Sequence, residues 1–142
     1  MTETIGDLQK RYARLLQRLL PRVPSSGFHL QIQTRPTHNG DAHVEVVDGV
    51  FHHVVTERGA ELRRRAASDS DELLYWLIDD AITTLNATCG SSLLSRLLRR
   101  DPRRERFRDH LRLLDQVSPA WAARKKIEYD EVLARYPYRD KA

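Results

Sequence analysis

Residues 42–55 read AHVEVVDGVFHHVV, and this stretch decides the fold. Two runs rich in valine flank the dipeptide Asp48-Gly49, whose residues tolerate the positive φ angles that a two-residue type I′ turn requires. Such a turn places Glu45 opposite His52 on the neighbouring strand. The stretch therefore predicts an antiparallel β-hairpin.

The register of this hairpin divides its side chains between two faces, because successive residues of a strand point to opposite sides. Glu45 and His52 lie on one face and are expected to meet solvent. The other face is apolar and is expected to pack against the core. It carries Val44, Val46, Phe51 and Val55.

Further strands are predicted on both sides of the hairpin. The Glu-Arg-Gly sequence at residues 57–59 predicts a second turn that leads to a short strand around residues 61–65. Upstream, apolar and polar residues alternate from Phe28 and predict a strand that ends near Pro36. Together these segments predict an antiparallel meander of three or four strands.

Helices are predicted before and after the sheet. Apolar residues recur every three or four positions from Thr4 to Leu20, and Thr4 with Asp7 forms a capping-box pattern. From Ser68 onward the chain is predicted to form three or four helices packed on the sheet. Two of them begin at cap-proline pairs, Asp101-Pro102 and Ser118-Pro119. The pattern indicates one α+β domain over residues 1–142.

The net charge of +4 is unevenly distributed along the 142 residues. Residues 68–95 carry five acidic groups and no Lys or Arg, whereas residues 96–112 carry eight basic and three acidic groups. Local asymmetry of this kind indicates surfaces of opposite sign, which suit charged partners.

The Arg-rich segment from Arg96 to Arg112 suggests a nucleic-acid-binding protein as an alternative function, because phosphate groups bind arginine. Two observations weigh against it. Acidic residues alternate with the arginines at i,i+3 spacing, as in Asp109 and Arg112, which favours pairing within the helix. The segment also has no alternating aromatic residues and matches no recognised nucleic-acid-binding motif.

Metal binding, cofactor binding and catalysis find little support in the sequence. His52 and His53 are adjacent on a strand and point to opposite faces, so they cannot chelate one ion. The single cysteine, Cys89, has no basic neighbour to activate it. We therefore expect no enzyme, no metal and no cofactor. A catalytic alternative would need a pocket that joins His52 to His43 and Glu45.

The acidic segment offers a candidate protein-binding surface. On a helix Trp76 lies roughly opposite the leucine and isoleucine stripe, at ~100° per residue. An aromatic residue within a rim of carboxylates is typical of a protein-binding hot spot. Cover by another helix is the alternative explanation. The candidate interface consists of Asp69, Asp71, Glu72, Trp76, Asp79 and Asp80.

Four stretches in this order resemble the immunity protein 63 family of bacterial polymorphic toxin systems. They are VFHHVVTERGAELRRR (50–65), SDSDELLYWLIDD (68–80), RRDPRRERFRDHLRLLDQVSPAWAAR (99–124) and ARYPYRD (134–140). The resemblance covers roughly residues 44–140. The residues that we expect to mark the family scaffold are Glu57, Arg58, Gly59, Glu61, Tyr75, Asp101, Arg103, Arg104, Phe107 and Trp121.

The resemblance implies a non-enzymatic antitoxin. Proteins of this kind bind the toxic C-terminal domain of a delivered effector and protect the producing cell from within the cytoplasm. The chain begins without the uninterrupted apolar core of a signal peptide, and its longest uncharged run is too polar to cross a bilayer. We expect a cytoplasmic protein that binds a toxin domain, with neither nucleic acid nor membrane as partner. The sequence leaves the oligomeric state open.

Overall fold

The computed structural model describes residues 3–19, 31–89, 97–98 and 100–140. In these residues one helix precedes a three-stranded antiparallel sheet, and three helices follow it, which confirms the α+β class. The elements are α1 (Ile5–Gln17), β1 (Asn39–Val47), β2 (Val50–Glu57), β3 (Ala60–Ala66), α2 (Ser70–Cys89), α3 (Pro102–Val117) and α4 (Pro119–Arg135).

The predicted hairpin forms with the predicted register. Glu45 pairs with His52 across β1 and β2, and Asp48 and Gly49 take φ angles of 51° and 78° in the turn. A second turn of the same kind follows at residues 58–59 and leads into β3, which is slightly longer than the predicted strand. The strand order is β1-β2-β3.

The strand predicted before the hairpin is not present in its described part. Residues 31–36 form no strand, and residues 28–30 lie outside the described residues. The backbone N–H of Ile32 donates to the Gln9 side chain of α1 at 2.7 Å, and Gln33 accepts one hydrogen bond from Val44 of β1. Since a strand needs a repeated ladder, these separate bonds hold the segment without adding it to the sheet.

The hairpin is covered on both faces at its centre, which corrects the prediction of one buried and one solvated face. Val44 and His53 are buried on one face, and His43 and Val54 are buried on the other. Toward the turn the apolar face opens to solvent, where Val46 is 52% exposed. Whether a hairpin residue is buried therefore depends more on its distance from the turn than on the face to which it points.

The chain divides into two compact units. Among the described residues, unit 1 contains α1, the sheet and the part of α2 that ends at Ile78. Unit 2 contains α2 from Asp79, together with α3 and α4. The prediction of one domain stays a prediction, because compact units do not determine how many cooperative domains a chain has.

In unit 1, α1 begins with the predicted capping box. The Asp7 backbone N–H donates to the Thr4 hydroxyl, and the Thr4 N–H donates to the Asp7 carboxylate, both at 3.1 Å. The helix ends at Gln17, three residues before the predicted end, and Leu20 lies outside the described residues. Its inward face buries Leu8, Tyr12 and Leu16.

In unit 2, α3 and α4 begin at the predicted caps. The Asp101 side chain accepts a hydrogen bond from the Arg103 backbone N–H, and the Ser118 hydroxyl accepts one from the Trp121 N–H. Helix α3 buries His110, Leu113, Leu114 and Val117. Phe107 is half-buried.

Candidate protein-binding site

The acidic start of α2 is tied to α1 within unit 1. Asp69 caps the helix by accepting a hydrogen bond from the Glu72 N–H at 2.8 Å. Asp71 forms an ion pair with Arg11, which also bonds to Glu3 at 3.0 Å. The Asp71 side chain is nevertheless 70% exposed, so its carboxylate remains accessible from solvent.

Trp76 lies against the sheet of unit 1 and is half-buried. The Arg65 guanidinium lies over its indole ring at 4.1 Å from the ring centroid, and the buried His53 ring meets it edge-on at 5.8 Å. A cation over an aromatic face is attracted by the ring quadrupole. Trp76 therefore packs against two residues of the sheet, a contact that neither sequence hypothesis named.

Asp79 belongs to unit 2 and has two internal partners. Its carboxylate accepts hydrogen bonds from His110 Nε2 at 2.6 Å and from Lys125 Nζ at 3.0 Å. Burial opposes ionisation of this carboxyl group, but the His110 hydrogen bond and the Lys125 charge together lower its pKa. The negative charge of Asp79 is thus largely compensated inside unit 2.

Tyr129 of α4 completes the surroundings of Asp79. Burial raises the pKa of its phenol, and the neighbouring Asp79 charge raises it further. The Tyr129 ring stacks on Phe107 with centroids 3.8 Å apart and meets His110 edge-on. Because Phe107 joins α3 to α4 in this way, the structure gives this family-scaffold residue a packing role.

The candidate interface therefore divides between the two units. Asp69, Asp71, Glu72 and Trp76 belong to unit 1, and Asp79 and Asp80 belong to unit 2. The Asp80 side chain is half-buried, and its backbone carbonyl accepts a hydrogen bond from the Thr84 hydroxyl.

The histidines of the hairpin form a polar network with their strand neighbours. Glu45 accepts hydrogen bonds from His43 Nε2 at 2.7 Å and from Arg64 at 3.1 Å. The His43 hydrogen bond is the main cause that lowers the pKa of Glu45. Arg64 also bonds to Glu61 at 2.8 Å and approaches His52 Nδ1 at 3.4 Å.

This network brings His43, Glu45 and His52 to one face, as the catalytic alternative requires, but Arg64 joins Glu45 to His52. A carboxylate held by an arginine stays ionised and cannot act as a general acid near neutral pH. Within the residues that the structure describes, no group of three His, Cys, Asp or Glu side chains is arranged to hold a metal ion.

Two groups of the expected family scaffold lie in unit 1. In residues 57–59, Arg58 and Gly59 take φ angles of 51° and 81° and form the turn between β2 and β3. Glu61 pairs with Arg64 on β3, and Tyr75 is 1% exposed. These positions shape and fill the fold.

The remaining scaffold residues surround the start of α3, except Trp121, which lies in the first turn of α4. The Asp101 carboxylate accepts hydrogen bonds from the Arg103 guanidinium and from the backbone N–H groups of Arg103 and Arg139, each at 2.9 Å. The Arg103 hydrogen bonds hold the pKa of Asp101 far below its usual range. Arg104 pairs with Asp140 at 2.7 Å. This half of the scaffold therefore holds residues 136–140 in place.

These contacts change the interpretation of the Arg-rich segment. Arg103 and Arg104 pair with carboxylates, and Arg112 lies 3.4 Å from Asp109, the predicted i,i+3 partner. Arg96 lies outside the described residues. Only the Arg103 pair involves a buried carboxylate, whereas the pairs of Arg104 and Arg112 are exposed, so the pairing withdraws one arginine of the segment from phosphate binding.

Several residues of these clusters were missed by sequence reasoning. Arg11 lies 60 positions from Asp71, and His110 lies 31 positions from Asp79. No local spacing signals such pairs, because helix and strand periodicity relates only close neighbours. One sign of a buried polar contact was present: His110, which can form hydrogen bonds, lies on the buried face of an amphipathic helix.

Comparison with known proteins supplies the family. The model of immunity protein 63 matches residues 48–131, which is more than half of the chain. The chain belongs to the immunity protein 63 family. Neither the curated proteins nor the solved structures gave a match. Membership implies an immunity protein of toxin systems, with a toxin protein as its partner.

The region that matches the immunity protein 63 family contains most of the clusters described above. It includes α2, α3 and the Asp79 cluster, whereas residues 136–140 lie beyond it. No helix in the described part of this family member is both long and apolar enough to span a membrane.

Proposed function

We propose that this chain is a cytoplasmic antitoxin that binds the C-terminal domain of a cognate polymorphic toxin and neutralises it by stoichiometric occlusion. The family match over residues 48–131 is the observation that carries the proposal. Binding of this kind needs no catalysis by the antitoxin.

We further propose that the carboxylates around the start of α2 contact a basic surface of the toxin. Asp71 supports this assignment, because its carboxylate is mostly exposed even while it pairs with Arg11. Exposed ion pairs contribute only about 0–1 kcal/mol, so an arginine of a partner can replace Arg11 at little cost. Asp69, Glu72 and Trp76, which belong to the same unit as Asp71, complete the proposed surface.

The first experiment tests neutralisation. The C-terminal toxin domain of the candidate cognate effector is expressed from an inducible promoter, with and without this chain. We expect growth to be restored only when both are expressed, and a one-to-one complex on size-exclusion chromatography with light scattering. Continued growth arrest despite soluble expression of both proteins would refute the proposed function.

The second experiment tests the surface. The double variant Asp71→Lys/Glu72→Lys should bind the toxin domain at least tenfold more weakly by calorimetry, because two attractive charges become repulsive. The matched control is Asp115→Lys/Glu131→Lys, which makes the same change in net charge at exposed positions of α3 and α4. Equal losses in both variants would remove the surface assignment but leave neutralisation intact.

A further inference from the structure

The start of α3 holds an extended segment of the same chain, residues 136–140 with the sequence Tyr-Pro-Tyr-Arg-Asp. The docking residues are Asp101, Arg103, Arg104 and Phe107. Three separate features of the segment are recognised: a carboxylate, an aromatic ring and the backbone. Each contact lies within unit 2.

The carboxylate is that of Asp140. It accepts a hydrogen bond from the Asp101 backbone N–H at 2.7 Å, and it pairs with the Arg104 guanidinium. An anion is favoured here, since the unpaired N–H groups and the dipole at the start of a helix are positive. Asp140 therefore occupies an anion site that has two independent donors.

The aromatic ring is that of Tyr138. The Arg104 guanidinium lies 4.1 Å from the ring centroid, the Arg103 guanidinium lies 5.5 Å from it, and the Phe107 ring lies 6.3 Å away. Arginine groups over an aromatic face favour Tyr or Trp over an aliphatic residue. The spacing between ring and carboxylate is two residues.

The backbone contacts do not depend on side-chain identity. The Arg103 guanidinium donates to the carbonyl oxygens of Tyr136 and Pro137 at 2.9 and 2.8 Å, and the Arg139 N–H donates to Asp101. Contacts to successive carbonyl and N–H groups are how proteins hold an extended peptide. They fix its direction and leave the side chains to decide specificity.

The docking residues and the segment differ in burial. The Asp101 side chain is 8% exposed and pairs with Arg103 of the same helix, so this pair does not depend on the segment. No residue of the segment is buried, and Tyr136 is 64% exposed. Because little apolar surface holds the segment, it can detach without unfolding the core of unit 2.

We propose that the start of α3 is a docking site for an extended protein segment with an aromatic residue two positions before a carboxylate, and that residues 136–140 are its intramolecular occupant. A partner protein with this pattern competes with the occupant. This inference is independent of the proposed toxin surface on α2. The partner must share the chemistry of residues 136–140, because both would bind the same hydrogen-bond donors and aromatic ring of the docking residues.

The direct test uses a fluorescent peptide of sequence Tyr-Pro-Tyr-Arg-Asp and fluorescence anisotropy. In the full chain, Tyr138→Ala/Asp140→Ala weakens the occupant and leaves the docking residues unchanged. We expect this variant to bind the peptide at least tenfold more tightly than the wild type, since a tethered occupant competes at an effective concentration in the millimolar range. Adding Arg104→Ala should abolish the gain, and the control peptide Tyr-Pro-Ala-Arg-Asn should not bind. Equal binding to wild type and double variant would overturn the proposal.

A second measurement on the wild-type chain decides the matter if the variant fails to fold. The Arg139 N–H bonds to Asp101, whereas the Ser118 N–H bonds to the carbonyl of Leu114 in the core. We expect the Arg139 N–H to exchange with deuterium by local opening, at least tenfold faster than the Ser118 N–H and independently of low urea concentrations. Exchange of both groups only through global unfolding would show that the segment does not detach separately.

Discussion

Replacement of Asp101 by alanine is expected to be the most damaging single change at the start of α3. The carboxylate caps the helix, and loss of an aspartate cap costs about 1 kcal/mol. It is also the acceptor for the Arg103 guanidinium and the Arg139 N–H. Leaving a charged donor without its acceptor costs about 1–3 kcal/mol more. The free energy of unfolding should therefore fall by about 2–4 kcal/mol.

Urea unfolding followed by circular dichroism measures this loss, and two variants separate its causes. Asparagine caps helices as well as aspartate does, so Asp101→Asn should keep the cap, lose the charge and cost less than Asp101→Ala. Asp115→Ala, at an exposed position of the same helix, should change stability by less than about 0.5 kcal/mol. The reasoning fails if Asp101→Ala is as mild as Asp115→Ala, or if the asparagine and alanine variants lose equal stability.

The same carboxylate predicts a pH dependence. Its Arg103 and backbone hydrogen bonds lower its pKa in the folded state, whereas the unfolded chain has an ordinary aspartate pKa of about 3.9. The stabilisation is therefore complete above about pH 5 and is lost as the pH falls below about 4. The stability difference between wild type and Asp101→Asn should shrink between pH 5 and pH 3. A constant difference would mean that the charge of Asp101 makes no contribution.

Three other predictions test separate parts of the structure. Asp79→Asn should lower the free energy of unfolding by about 2 kcal/mol in urea, less than for a fully buried pair because its side chain is 23% exposed. Asp130→Asn, which affects an exposed pair with Lys126, should cost under about 1 kcal/mol. Gly49→Ala should cost about 1–2 kcal/mol, because alanine is strained at a φ of 78°. Duplex DNA should not be retained in 0.15 M salt, and retention that weakens steeply with added salt would favour the nucleic-acid alternative.

Local sequence patterns predicted the elements correctly where the interactions themselves are local. The Asp48-Gly49 turn, the hairpin register and the caps at Asp101 and Ser118 each depend on residues within a few positions of one another. The strand before the hairpin was predicted from the same kind of alternation. Its described part, residues 31–36, forms no strand, because the Ile32 N–H bonds to a side chain of α1, 23 positions away.

The acidic residues of the candidate site could be predicted from the sequence, but the residues that they contact could not. The sequence places carboxylates on α2, yet the partners of Asp71 and Asp79 lie 60 and 31 positions away along the chain. The sequence pattern also did not predict that both hairpin faces are buried, because alternation does not show how many elements cover a sheet. Long-range pairs of this kind are determined by packing, which one sequence does not reveal.

The net charge of a segment is therefore a poor measure of the charge available to a partner. The acidic segment 68–95 uses Asp79 to pair with His110 and Lys125. The basic segment 96–112 uses Arg103 and Arg104 to pair with Asp101 and Asp140. Carboxylates that remain exposed have more influence on a binding partner, because a compensated charge contributes little to the external field.

Asp71 pairs with Arg11 but keeps a side chain that is 70% exposed, which makes its contribution to toxin binding separable from stability. Its pair with Arg11 is exposed, so Asp71→Asn should cost under about 1 kcal/mol of folding free energy. The same change should slow association with the toxin domain, and the effect should diminish in high salt because exposed charges are screened. Stopped-flow association at two salt concentrations measures this, with Asp115→Asn as control. An unchanged association rate at low salt would place the toxin interface away from α2.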